Sequence, residues 1–340
     1  MMQPRLVKLT IGAGCLLAFF ANSSQAAVVY NFTNFDGPGS GMNAATGTNM
    51  NGIANTGAAV GFGIDNAGAF TNFIRNPNGT ITTLNINGST TAMAFGINSL
   101  DDVVGTDGNG NAFLLPPGGP VQTLTTPGNP STAFGINDAG AIVGQYTLAA
   151  AVPGFFLGGG NFVRIDAPSG PDTVNAQSIN NNGLIVGFYL GTDGQVHGFD
   201  AQIQNAHNGQ ITGTAIADPI IPPVTGEPGA TFVFSQILGV NDSGIAVGYY
   251  GDSTTSQHGY LLNLSTGQYT FLDDPAEGFN NGVEVTQITG INNSGEITGF
   301  YTDANGVFHG FVATPAPEPA AFGLVGLGFI GVGLLLRRKR

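Results

Sequence analysis

The chain has 340 residues, of which only 9% are charged, and a formal net charge of −13. Between residues 27 and 313 there is no lysine, and two arginines (Arg75 and Arg164) stand against 20 acidic residues, a surface that repels nucleic acid and anionic headgroups and attracts divalent cations. The single cysteine, Cys15, lies near the start, which excludes disulfides and thiolate metal sites downstream, while 24 Phe and 8 Tyr favour a packed structure over disorder.

Arg5 and Lys8 precede a mostly apolar stretch over residues 9–21, and Ser24-Gln25-Ala26 is a small-x-small cleavage pattern. This reads as a secretory signal helix cut after Ala26. An uncleaved N-terminal anchor is the alternative. A lipoprotein reading of Cys15 fails, because Gly12 stands where an aliphatic residue is needed and the apolar stretch continues past the cysteine. The chain therefore divides into residues 1–26, a central module over residues 27–313, and a tail over residues 314–340.

Within the module one step recurs six times, at residues 52–61, 96–105, 135–144, 178–187, 239–248 and 290–299. The clearest copies are Gly135-Ile136-Asn137-Asp138-Ala139-Gly140 and Gly290-Ile291-Asn292-Asn293-Ser294-Gly295, each leading to a closing glycine, Gly144 or Gly299. Asn and Asp favour turns and Gly supplies positive φ, so each step reads as a β-hairpin. The closing glycines are 44, 39, 43, 61 and 51 residues apart, the spacing of stacked supersecondary units. A second element follows, as His197-Gly198-Phe199, His258-Gly259-Tyr260 and His309-Gly310-Phe311, with degenerate forms at Phe113 and Phe155. A third is a short strand ending in a polar turn, at residues 81–86, 121–127, 162–168 and 269–275.

Four short strands in about 40–60 residues is the size of a propeller blade. The expected fold is all-β, a β-propeller-like ring of about six four-stranded blades, with a β-solenoid or β-sandwich as the alternative. The third element is missing after the last copy but occurs early, at residues 30–35, so that strand is expected to complete the last blade and remove the open sheet edges. Extra sequence over residues 201–229 reads as an elongated hairpin or loop projecting from one blade.

On the His-Gly-Phe elements and the Gly-Ile-Asn steps, these units resemble the HAF repeat family of extracellular proteins. This chain departs from that pattern in having Gly for the middle Ala and no His in its first three copies. The resemblance implies export and repetition, and no particular activity.

Several residues are candidates for chemistry. His197, His258 and His309 occupy one repeat position, which fits a metal or catalytic cluster if they converge and a turn-stabilising role if they do not. Asp107-Gly108-Asn109-Gly110-Asn111 begins like a calcium loop, but Ala112 and Gly118 stand where an EF-hand needs Gly and Glu. Asp107 and Asp303 are thus weak calcium candidates, and no other metal or cofactor is expected. Gly251-Asp252-Ser253 is similar to an esterase block but falls in a turn. The adjacent pairs Asp101-Asp102 and Asp273-Asp274 point to opposite faces if extended, so neither is an acid/base couple for glycoside cleavage.

The tail has three parts: Pro317-Glu318-Pro319, an apolar run over residues 320–336, and Arg337-Arg338-Lys339-Arg340. Seventeen residues at 1.5 Å rise make roughly 25 Å, the low end of a transmembrane helix, and the basic cluster stays cytoplasmic. The pattern resembles the PEP-CTERM sorting signal of Gram-negative bacteria. That resemblance implies an exosortase-like membrane protease as partner; a permanent C-terminal anchor is the alternative.

Together these features describe an exported, non-enzymatic repeat protein of the Gram-negative cell envelope or extracellular matrix. It is expected to bind polysaccharide or matrix protein, or to be structural, and to be held at the membrane at least transiently by its C-terminus. A carbohydrate-active hydrolase or lyase, with carboxylates converging at the propeller axis, is the competing expectation.

Overall fold

Each Gly-Ile-Asn step closes a hairpin between two antiparallel strands, and each hairpin begins a four-stranded sheet. The structure, a computed structural model, describes residues 29–169, 173–220 and 229–316. The expected signal helix and transmembrane helix, with Pro317 to Pro319 and Arg337 to Arg340, lie outside the described residues. Among the described residues there is no α-helix, only a 3-10 turn at Ile203–Asn205, and no helix is long and apolar enough to cross a membrane.

The first unit shows the plan: Gly47–Ile53, Ala59–Ile64, Phe70–Arg75 and Ile81–Thr83 pair in that order, each antiparallel to the next. Five further units occupy residues 93–123, 131–166, 174–215, 232–271 and 286–315. Units six and one share a single parallel bridge, Gly47 to Phe308, which joins them into one larger sheet. The innermost strand of each unit contacts that of the next, and the sixth contacts the first.

Every inner hairpin carries a bulge at the same place, between Ala133 and Gly135 in unit three and at the matching residues elsewhere. A bulge leaves one extra residue without a cross-strand partner. Here those residues are Asn51, Phe95, Phe134, Gln177, Leu238 and Thr289, and all six line one cavity. The glycine that follows each bulge (a serine, Ser178, in unit four) lies where neighbouring units come closest. A Cβ on Gly96 would stand 2.6 Å from the Phe134 carbonyl oxygen, and one on Gly135 2.8 Å from that of Gln177.

The closing glycine has a separate reason. Gly105, Gly144, Gly187, Gly248 and Gly299 sit directly opposite Phe113, Phe155, Phe199, Tyr260 and Phe311 on the third strand. Those five rings are fully buried, and each lies over its bare glycine. Burying a ring of this size stabilises by about 1.5–3 kcal/mol. The aromatic residue of the His-Gly-Phe element is therefore the core plug of its unit.

The sixth unit takes its fourth strand from the start of the chain. Tyr30–Phe35 runs antiparallel to the last strand, Phe308–Pro315, with Tyr30 opposite Pro315 and Phe35 opposite Gly310. The last strand thus extends two residues into the segment assigned to the tail. Its backbone contact continues to Ala316, whose N–H donates to the Val29 carbonyl at 2.7 Å.

The extra sequence of unit four does not simply project. Gln210–Thr212 pairs in parallel with the outer strand of unit three, Asn161–Asp166, and Thr214–Ala215 then returns as the outer strand of unit four. Buried Ile211 anchors the crossing in the core between the two units. The segment is a strap across a seam, and the sequence hid it because a three-residue strand is too short to show alternation.

Candidate functional site

Five buried asparagines, Asn98, Asn137, Asn180, Asn241 and Asn292, hold equivalent places at the end of the inner strands. Each side-chain carbonyl accepts two backbone N–H groups of its own hairpin; for Asn137 these come from Ala139 at 3.1 Å and Ala141 at 2.9 Å. Each side-chain amide donates to the backbone carbonyl of the matching residue in the next unit, as from Asn137 to Asn180 at 3.0 Å and from Asn180 to Asn241 at 2.9 Å. One residue type therefore shapes its turn and fastens two units.

The residues that follow form a second circuit at the mouth of that cavity. The backbone N–H of Asp138 donates to Asn181 Oδ1 at 2.9 Å, Asn181 to Asp242 Oδ1 at 2.8 Å, and Asp242 to Asn293 Oδ1 at 2.8 Å. Inside it, Asp242 Oδ2 accepts from the amides of Asn181 at 3.0 Å and Asn293 at 2.6 Å. Asp138 Oδ2 accepts from Asn55 and Asn181, both at 3.1 Å. Burial pushes the Asp138 carboxyl up, but bonds from Ser99, Asn55 and Asn181 outweigh it and hold it below the usual carboxylate range. The cavity behind the mouth is about 80 Å³, room for a few waters. Its oxygens are already engaged, so the mouth is a fastening, and a general acid is not available from Asp138. Neither carboxylate was singled out in the sequence, although stacking the six copies places both at one position.

The seam between units one and two breaks both circuits. Ala54 stands where the other units have asparagine, so no amide reaches back to Asn98. Ser99 replaces the longer Asp or Asn, and its buried hydroxyl has no hydrogen-bond partner among the described residues. The fourth turn position is glycine in five units, with φ between 74° and 83°, but Asp101 in unit two, at φ 61°. At the outer side of this seam lies a cleft of about 440 Å³, walled by Ile74, Leu84, Leu115 and Pro116 and rimmed by Thr82, Thr83, Asn85 and Asp101.

The three repeat histidines do not converge; each sits with carboxylates of its own unit. His197 lies between Asp193 at 3.0 Å and Asp218 at 2.8 Å, and His258 between Asp252 at 3.7 Å and Asp273 at 3.0 Å. His309 lies between Asp303 at 3.7 Å and Asp36 at 2.8 Å. In each case the ring ties the hairpin between the second and third strands to the end of the fourth, which is the turn-stabilising role. Asp36 comes from the N-terminal strand, so His309 also clips the two ends of the module together.

The two calcium candidates act in the same hairpin. Asp107 Oδ1 accepts the N–H groups of Asn109 at 2.8 Å and Asn111 at 2.9 Å, and Asp303 Oδ1 those of Asn305 at 2.8 Å and Val307 at 2.9 Å. In both, burial raises the carboxyl and these bonds more than offset it, leaving it lowered. Each is an Asx turn whose inner oxygen is already used. Among the described residues no group of three or more His, Cys, Asp or Glu is placed to hold a metal ion. Asp273 and Asp274 meet different partners: Asp273 bonds His258 and the Gly259 N–H, while Asp274 accepts from Asn34 and Ala276. The Ser253 hydroxyl accepts from the Thr231 N–H at 3.0 Å and meets no histidine.

One carboxyl among these turns is strongly displaced. Burial, then the charge of Asp273, pushes Glu277 up to about 7, despite a hydrogen bond from Thr286. Burial alone would lower the neighbouring His258, but Asp273, Asp252 and Glu277 raise it above its ordinary value. Both folded values exceed the unfolded ones, so both groups favour the fold at low pH, and that stability is lost as pH rises through the folded values. The carboxylates with lowered values, such as Asp138, lose their contribution only in stronger acid. The Tm is therefore expected to fall by about 2–4 °C from pH 5 to pH 8. Glu277→Gln should flatten most of that slope; a native profile flat across this range, measured by calorimetry, would refute the assignment.

Comparison with known proteins bears on the tail. Residues 315–340 match the model of the PEP-CTERM protein-sorting motif. The chain thus carries a signal for export and membrane-associated sorting of the kind that exosortase processes. No curated protein matches the chain. Among solved structures it is similar to TolB from Acinetobacter baumannii (11% identity, 82% of this chain and 66% of that one, TM-score 0.45). It is also similar to a mutant of AofleA from Arthrobotrys oligospora (12% identity, 86% and 88%, TM-score 0.48). A third is Aleuria aurantia lectin in complex with alpha-methyl-L-fucoside (9% identity, 87% and 99%, TM-score 0.41). These neighbours are β-propeller proteins.

Proposed function

We propose that this chain is an exported binding module of the cell envelope or matrix, a closed six-bladed propeller delivered by its C-terminal sorting motif and free of hydrolytic activity. The carrying observation is the junction at Pro315, where the last strand of a self-fastened module runs directly into the sorting motif. The cyclic contacts of the inner strands and the pairing of Tyr30–Phe35 with the last strand support closure. The likeness of the repeats to the HAF family supports an extracellular setting. The engaged carboxylates at the cavity mouth speak against a general acid there, and polysaccharide or matrix protein is the partner class that suits the exposed Asn and Thr side chains.

Fractionation of cells producing the native chain and a Pro317→Ala, Glu318→Ala, Pro319→Ala variant tests the sorting half. The native chain is expected at the outer surface or in the medium, and the variant is expected to remain with the inner membrane. An unchanged distribution would favour a plain permanent anchor.

A further inference from the structure

The departures at the seam between units one and two converge on one place. Every other unit puts glycine at the fourth turn position, where φ is positive and glycine is the residue of least strain. Unit two puts Asp101 there, in the left-handed region. A residue that departs from the rule its repeat otherwise keeps is a candidate for function. Asp101 is exposed, and its carboxylate makes no hydrogen bond or ion pair among the described residues. It stands on the rim of the 440 Å³ cleft, whose size falls within the roughly 300–1,000 Å³ of small-molecule sites. At the same seam the two amide circuits that fasten the other units are both interrupted, and the units are joined instead by Asn51 and Asn72, whose side chains bond the backbone of Ala92 and Ala94.

The lining defines a chemical class. Asp101 offers two acceptor oxygens, and Thr82, Thr83 and Asn85 offer mixed donors and acceptors. Leu84, Leu115 and Pro116 supply an aliphatic wall. That alternation suits a ligand with hydroxyls on its edges and C–H groups on its faces. One carboxylate is too few for a divalent cation, which needs six or more oxygens. The negative charge of the chain repels anions.

We propose that the cleft between units one and two is a binding site for one neutral pyranose unit of a polysaccharide, with Asp101 accepting hydrogen bonds from vicinal hydroxyls. This rests on the binding-module reading and goes further by naming the site and the ligand class. The seat recurs nowhere else around the axis, because no other unit carries an acidic residue at this turn position.

The test uses the full chain and calorimetric titration with neutral trisaccharides of glucose, galactose, mannose and N-acetylglucosamine. At least one is expected to bind saturably. Asp101→Gly restores the residue of the other five turns, so it should weaken binding at least tenfold while leaving Tm unchanged or raised. Thr82→Val should weaken it severalfold as a second, independent variant. Native binding that survives both changes would overturn the cleft and leave the binding-module reading standing. Binding of none of the four would overturn the saccharide inference, and pull-downs from matrix material would then decide the module reading separately. Binding of tri-arginine in place of the sugars, lost in Asp101→Gly, would overturn the ligand class.

Discussion

A chain lacking residues 29–36 is expected to lose about 5 kcal/mol of stability and to self-associate. The missing strand carries Tyr30, Phe32 and Phe35, three partly buried aromatics. Phe32 packs edge-on to Phe311 at 5.1 Å, Phe35 meets Phe73 at 6.5 Å, and the Arg75 guanidinium lies 5.0 Å over the Phe35 ring. At about 1.5 kcal/mol for each partly buried ring, their loss accounts for most of the effect. The hydrogen bonds from Tyr30 to the Gly295 carbonyl at 3.0 Å and between His309 and Asp36 at 2.8 Å go with them. The last strand would then present an open edge to other chains, the geometry that favours strand exchange and aggregation. Urea denaturation and size-exclusion chromatography measure both effects. Adding a peptide of residues 29–36 should restore the midpoint. A shortened chain that stays monomeric with an unchanged midpoint would show that the N-terminal strand does not hold the module together.

Gly187→Val is the second large effect, with an expected destabilisation of about 3 kcal/mol. A side chain at Gly187 overlaps the Asn175 carbonyl oxygen and presses the Phe199 ring, a contact of 2.9 Å for the first carbon alone. The carbonyl belongs to the bulged strand and cannot rotate away, and the ring is fully buried. The control is Gly194→Ala, at a turn with open space around it: there only the positive φ of 81° opposes the change, and about 1 kcal/mol is expected. Equal midpoints for the valine variant and the native chain would mean that the ring does not need the bare glycine beneath it.

Much of this architecture is legible in the order of residues. The Gly-Ile-Asn step, the closing glycine and the His-Gly-Phe element mark three points of a unit, and the stray strand at Tyr30–Phe35 marks where the first and last units meet. The histidines were legible as turn fastenings because they recur with the hairpin. The bulge was not, since it exists only in the pairing of two strands: nothing about Phe134 alone says that it lines a cavity. The inter-unit amide bonds were hidden for the same reason; Asn137 reads as a turn former, and its second task depends on a neighbour 43 residues away. Asp101 was visible as one of an acidic pair, but its meaning needs the φ shared by the five glycines at its position. The strap at Gln210–Thr212 is not legible because its partner lies in the preceding unit.

The meeting of Val29 and Ala316 has a consequence for how the protein is made. Among the described residues the strand pairings run from Tyr30 to Pro315. The first strand, however, is synthesised some 280 residues before its partner and has to wait, unpaired, until the last strand emerges. The pairing that completes the molecule is therefore its most non-local strand pairing. The strand that completes it adjoins the sorting motif, so a finished fold and a ready address arrive together.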